Sequence, residues 1–267
     1  YLQGTFITSS GGNVSATGQG GGSGSSFGNF GVHLSNASSI TAGGAGTVTV
    51  SGTGGAASGT SNHGVNIIGA NSIITSSNGN VSVTGYGGGS GLSEYNSGVV
   101  VETGTMISAG GSGMVTVQGT GGNGSGNFNP GVYINGATAQ ITSSGGNVSV
   151  TGMGTGSGAS DYNSGIEINE GTITAGGSGS VTVIGTGGIT TGVLNDGVLV
   201  VAGTITSNNG AVSVTGTGGG TGISAYNYGI EAVSNGTITA GGNGAVTVQG
   251  TGGAANGEDN FGVYLQG

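Results

Sequence analysis

The sequence predicts an all-β parallel solenoid, and three columns of residues sharing one period carry that expectation. The first column is Asn-x-Gly followed by Val or Ile, with its asparagine at Asn29, Asn62, Asn96, Asn129, Asn163, Asn195, Asn227 and Asn260. Successive glycines of this triplet lie 33, 34, 33, 34, 32, 32 and 33 residues apart. The second is Ile followed by Thr or Ser, at Ile7, Ile40, Ile74, Ile107, Ile141, Ile173, Ile205 and Ile238. The third is V-x-[VA]-x-G-x-G, starting at Val14, Val48, Val81, Val115, Val148, Val181, Val212 and Val246. Residues 1–267 thus read as one repeat domain of about eight coils of roughly 33 residues.

Each element follows from a short β-favouring run between turn formers. In the unit from Gly131, Val132-Tyr133-Ile134 alternates as a half-buried strand does, and Asn135-Gly136 closes it with a turn. Gln140-Ile141-Thr142 is a second strand, Ser143–Asn147 a corner, and Val148-Ser149-Val150-Thr151 a third strand with its valines inward. Helical periodicity is absent, and the glycine content opposes helix. Stacked at about 4.8 Å, equivalent residues form columns. Val lies on Val, Ile on Ile, and the eight asparagines can form an amide ladder at a corner. The glycines of G-x-G are expected to supply positive φ at tight corners. The crossover rule favours a right-handed coil.

Three short strands do not fill a coil of this length. The remainder, such as Gly85–Asn96 or Gly119–Asn129, reads either as a protruding or flattened glycine-rich flap or as a fourth straight side with closely packed glycine backbones. The units also alternate. One type reads SS-G-NVSV-T-G (Asn80–Gly85, Asn147–Gly152) and the other AGG-x-G-x-VTV-x-G (Ala109–Gly119, Ala175–Gly185). One coil buries few apolar side chains, so stability is expected to come from stacking. The chain opens with Tyr1-Leu2-Gln3-Gly4 and closes with Tyr264-Leu265-Gln266-Gly267, in the same phase of the repeat. The expectation is a segment of a longer solenoid that resumes beyond Gly267 as Thr5-Phe6-Ile7-Thr8 does.

Composition narrows the functions. Of 267 residues 71 are Gly, with no Cys, Lys or Arg, and nine carboxylates give a formal charge of −9. Without cations, binding to nucleic acid or anionic lipid through phosphate neutralisation is excluded, and no apolar run reaches the length of a membrane span. Without Cys there are no disulfides or thiolate metal sites. The glycines of Gly121–Gly124 and Gly241–Gly244 lack the Asp of a calcium-binding nonapeptide, so they read as corners. No cofactor is expected.

Catalytic constellations are equally absent. The third position of the first strand carries His33, Asn66, Val100, Tyr133, Glu167, Leu199, Glu231 and Tyr264, an outward column. Glu167 and Glu231 would lie about 9.6 Å apart on a 4.8 Å rise, close to the spacing of an inverting glycosidase, but Leu199 separates them. They read as part of a solvated face. His33 and His63 fall in different columns and read as surface or corner residues.

Two periodic features are candidates for binding. The outward residues of the third strand form a hydroxyl grid of Thr49, Ser51, Ser82, Thr84, Ser149, Thr151, Ser213 and Thr215, interrupted by Gln118, Ile184 and Gln249. It resembles the Thr-x-Thr arrays of ice-binding solenoids. The aromatics Phe27, Tyr95, Phe128, Tyr162 and Tyr226 cluster just before the Asn column, where they either stack on sugars or pack the flap against the coil.

Units such as Gly197–Gly203 followed by Thr204-Ile205-Thr206 and Val212-Ser213-Val214-Thr215-Gly216 resemble the strand repeats of giant bacterial surface proteins. These are the filamentous-haemagglutinin-like and autotransporter-like adhesins and the glycine-rich repeats of cell-surface fibres. The resemblance runs over the whole chain. It implies secretion and a place in a stalk, sheath or fibre, with copies of itself or adjoining repeats as partners and glycans as possible ligands.

Overall fold

The computed structural model describes residues 1–267, and it is a β-solenoid with 25 strands and no helix. Three parallel sheets form its walls, of nine, eight and eight strands. Sheet 1 runs from Leu2–Gln3 through strands such as Val99–Glu102 and Val132–Asn135 to Val263–Gln266. Sheet 2 contains the Ile columns, with Met106–Ala109 beside Gln140–Ser143. Sheet 3 contains the V-x-V strands, each six residues long, as in Val115–Thr120 and Val148–Met153. Every strand pairs with its equivalent one coil away, so Ile107 faces Ile141 and Ile141 faces Ile173.

The inward residues of the three walls merge into one cluster of 37 buried apolar side chains, so the core is continuous along the axis rather than divided by coil. Of the pair Ile73 and Ile74, Ile74 points inward and Ile73 outward. The outermost coils lack a neighbour on one side. Leu265 is 68 % exposed, whereas Leu34, its counterpart in an inner coil, is fully buried.

The flap is flattened, and its two arms lie backbone against backbone. Numbered by their asparagines, flaps 1 to 8 leave sheet 3 at the G-x-G pair and return to sheet 1 at Asn-x-Gly. In flap 3, a Cβ added at Gly85 would lie 2.0 Å from the Gly98 carbonyl oxygen, and one at Gly87 would lie 2.1 Å from the Asn96 carbonyl. The same closure recurs in flap 4, between Gly119 and Gly131 and between Gly121 and Asn129, both at 2.0 Å. This corrects the expectation of positive φ. The G-x-G glycines have ordinary extended backbone, and their first glycine is still part of the strand. Glycine is needed there because any Cβ would strike a carbonyl of the other arm.

Hydrogen bonds zip successive flaps together. The Gly88 N–H donates to the Asn62 carbonyl at 2.7 Å and the Gly122 N–H to the Asn96 carbonyl at 2.6 Å.

The alternation of unit types has a physical basis in the same arms. Three residues before the asparagine, odd flaps carry Ser26, Ser93, Ser160 and Ser224, and even flaps carry Gly59, Gly126, Gly192 and Gly257. The Ser93 hydroxyl donates to the Gly59 carbonyl and the Ser160 hydroxyl to the Gly126 carbonyl, both at 2.6 Å. A Cβ at Gly59 would lie 2.3 Å from the Ser26 carbonyl, so serine cannot occupy consecutive coils. The corner between sheets 2 and 3 alternates too. There Ser143 and Ser207 donate to the Gly146 and Gly210 carbonyls at 2.5 Å, whereas Ala109 and Ala175 fill the same place in the other type.

Candidate functional site: the asparagine ladder and the outer face of sheet 1

The return arm of each flap brings its asparagine under the next one. Nδ2 of each donates to Oδ1 of its successor: Asn29 to Asn62 at 2.7 Å, Asn62 to Asn96 at 3.1, Asn96 to Asn129 at 2.8, and Asn129 to Asn163 at 3.1. The series continues from Asn163 to Asn195 at 2.8 Å, Asn195 to Asn227 at 3.1 and Asn227 to Asn260 at 2.7. Each Oδ1 also accepts the backbone N–H of the preceding asparagine, as Asn96 does from Asn62 at 3.1 Å. In odd flaps a serine hydroxyl also lies beside Oδ1, Ser93 2.9 Å from Asn96 and Ser160 3.0 Å from Asn163, its single proton shared with the carbonyl of the preceding flap. Asn62, Asn96, Asn129, Asn163, Asn195 and Asn227 are fully buried. A buried amide paired to the coils on both sides rigidifies the corner, and removing one leaves its neighbours orphaned.

The residue immediately before each asparagine is in the left-handed region. Gly28 holds this position in flap 1, and Ser61, Tyr95, Phe128, Tyr162, Leu194, Tyr226 and Asp259 follow at φ between 54° and 65°. Phe27 therefore stands outside the aromatic column, one residue early, and is an exposed side chain of the flap. Left-handed backbone disfavours a side-chain-bearing residue by roughly 1–2 kcal/mol. Four coils nevertheless place an aromatic ring there. Phe128 packs edge-on against Tyr133, with centroids 5.0 Å apart, and touches Tyr95 at 5.4 Å.

The third-position column is mostly covered, contrary to the expectation of a solvated face. His33, Asn66, Val100 and Glu167 are buried. The left-handed residues and the middle residues of Asn-x-Gly lie beside this column and shield it. His33 stacks with Tyr1 at 5.0 Å and with Phe30 at 4.5 Å, and His63 also stacks with Phe30 at 5.6 Å. Both histidines are thus packing residues, and loss of solvation together with His33 pushes the His63 imidazole down to about 4.

The carboxylates of this face form a cluster that needs Asp196 as well as Glu167 and Glu231. Asp196, the middle residue of the sixth triplet, is buried, and its Oδ1 accepts the Tyr228 N–H at 2.7 Å. Its Oδ2 is buried without a donor. Burial, reinforced by Glu231, pushes Glu167 up to about 7. Burial raises Asp196 well above the usual carboxylate range, and Glu231 beside it raises it further. Glu231 is itself raised by burial. Glu167 and Asp196 are closed off from solvent while Glu231 is half-buried, and no group of three or more His, Asp or Glu is placed to hold a metal ion.

The hydroxyl grid divides into two columns on sheet 3. One is unbroken, running Ser15, Thr49, Ser82, Thr116, Ser149, Thr182, Ser213, Thr247 in register. The other contains Ser51, Thr84, Thr151 and Thr215, with Gln118 and Ile184 between them. A further unbroken column follows the Ile column on sheet 2: Thr8, Thr41, Thr75, Ser108, Thr142, Thr174, Thr206. Its members hydrogen-bond along the axis at Thr75 and Ser108, 2.7 Å apart. The Ile-Thr landmark already contained this column, and the period-2 rule places its hydroxyls outward.

No helix of the protein is long and apolar enough to cross a membrane. Comparison with models of protein families, with curated proteins and with solved structures gives no match.

Proposed function

We propose that the chain is a segment of an extracellular structural solenoid, part of a cell-surface fibre, sheath or adhesin stalk, that stacks end to end with copies of itself or adjoining repeats. The observation that carries this reading is regularity without an accessible singular site. The asparagine ladder, the glycine closure and the hydroxyl columns recur coil after coil, and in the irregular cluster around Asp196 only Glu231 reaches the surface. Such a molecule works as a rod and needs no catalysis. A chain with 3 % charged residues and no Lys or Arg suits close packing and offers trypsin nothing to cut.

Electron microscopy and analytical ultracentrifugation of the purified chain test the reading. The expected result is concentration-dependent filaments one solenoid wide, suppressed by Leu265→Lys with its circular dichroism unchanged. A species that stays monomeric at every concentration and whose surface display adds no fibre or sheath would overturn it.

A further inference from the structure

We propose that the outer edge of sheet 1 is a binding track for a neutral, extended β-1,4-linked polysaccharide, with Tyr95, Tyr162 and Tyr226 as its stacking platforms. These three tyrosines occupy the same left-handed position in flaps 3, 5 and 7, inside the recurring sequences Ser93-Glu94-Tyr95-Asn96, Ser160-Asp161-Tyr162-Asn163 and Ser224-Ala225-Tyr226-Asn227. They are 48 %, 47 % and 36 % exposed, so the rings are available in a column whose neighbouring residues are largely covered.

Three features point to the ligand. Equivalent residues two coils apart are separated by about 9.6 Å. That step matches one disaccharide of a flat β-1,4-linked chain, in which every second ring presents the same face. The whole track covers about 19 Å, two such disaccharide steps, so the three rings meet the first, third and fifth sugars. The backbone supplies the second feature. Glycine is the residue that a left-handed position favours, and flap 1 uses it at Gly28, yet flaps 3, 5 and 7 retain a ring. The third is charge. A chain with no cation anywhere and a formal charge of −9 repels uronates and sulfated glycans, which leaves a polymer without anionic groups as the fitting partner. Glu94 and Asp161, half-buried next to two of the platforms, add carboxylate acceptors for sugar hydroxyls, Asp161 through Oδ2 because its Oδ1 accepts the Val193 N–H at 2.8 Å. This inference does not depend on end-to-end stacking, because the track lies on the side of the rod.

The test is affinity electrophoresis and pull-down of the full chain with hydroxyethyl cellulose, glycol chitin, dextran and polygalacturonate. Retardation by hydroxyethyl cellulose or glycol chitin and none by dextran or polygalacturonate is expected. Tyr→Gly at all three positions removes the rings while suiting the backbone, so it folds and loses binding, each ring accounting for roughly a two- to tenfold loss. Tyr→Phe at all three retains binding within about threefold, because the ring face does the stacking. Equal retardation by all four polymers, no retardation by any, or full binding by the Tyr→Gly variant would overturn the proposal. Circular dichroism of each variant separates loss of the site from loss of the fold.

Discussion

Along the strand wall, coils are joined by side chains. Ile107, Ile141 and Ile173 stack inside sheet 2, and Val117 and Val150 inside sheet 3, all fully buried. In the flap, coils are joined by the absence of side chains. Gly119 and Gly121 let one arm touch the carbonyls of the other, Gly122 lets it reach the Gly88 carbonyl of the preceding flap, and the side chains sealed there are small, chiefly the asparagine amides and the serine hydroxyls such as Ser93. The wall tolerates exchange among apolar residues of similar volume, which is why Val, Ile and Ala share its columns. The flap tolerates nothing but hydrogen at its contact points, which is why G-x-G holds in all eight units.

The largest expected effect comes from breaking the flap. Gly119→Val places Cβ 2.0 Å from the Gly131 carbonyl, a backbone atom that cannot yield, and should cost at least about 4 kcal/mol by urea unfolding. If this variant stays within about 1 kcal/mol of the parent, the arms are not in contact. The wall should respond less. Ile141→Ala leaves a cavity that neighbouring coils can partly fill, and about 2–4 kcal/mol is expected.

Acidity sharpens the comparison, because the raised carboxyls lie on the outer face of sheet 1 near the flap. Glu167 is faced by Glu231, Tyr133 and Asp196. Asp196 is faced by Glu231, Tyr228 and Glu167. Glu231 also lies near Tyr228, itself surrounded by Asp259 and Tyr264. These carboxyls hold protons more tightly folded than unfolded. Their stabilisation is therefore complete below the ordinary glutamate value of 4.5 and is lost as pH rises through about 7 for Glu167. Melting at pH 4.5 should exceed melting at pH 8, and Glu167→Gln should flatten the difference. A melting temperature that rises with pH would contradict this account of the cluster.

Two smaller effects concern single coils. Asn163→Ala strips partners from Asn129, Ser160 and Asn195, and a loss of roughly 1–3 kcal/mol is expected in thermal unfolding. Tyr162→Gly relieves left-handed backbone at an exposed ring and should stabilise by up to about 1 kcal/mol. A destabilised Tyr162→Gly would show that its ring supports the fold.

Much of this was legible in the sequence, because period and alternation map directly onto stacking. The Ile and Val columns gave the wall, and the invariant asparagine gave the ladder. What stayed hidden depends on which groups face each other across a coil. G-x-G reads alike whether a glycine is needed for its φ or for its missing Cβ, and only the position of the opposite arm separates the two. The third-position column alternates as an exposed one does, but Phe128 on Tyr133 and Phe30 on His33 cover it from a neighbouring segment. Asp196 escaped notice because its partner Glu231 is in another coil and another column. The Ser–Gly alternation at Ser93 and Gly59 was present in the sequence, and the signal was its strict parity across all eight units.

Native-state amide hydrogen exchange tests the zipped flap most directly. The N–H groups of Gly88 and Gly122 donate to the Asn62 and Asn96 carbonyls, as those of Val83 and Val117 donate within sheet 3. If flap and wall form one cooperative unit, the two glycine amides exchange only on global opening, with protection matching the valines within about tenfold. Glycine amides that exchange thousands of times faster than Val83 and Val117 would mean that the flap opens independently of the rod.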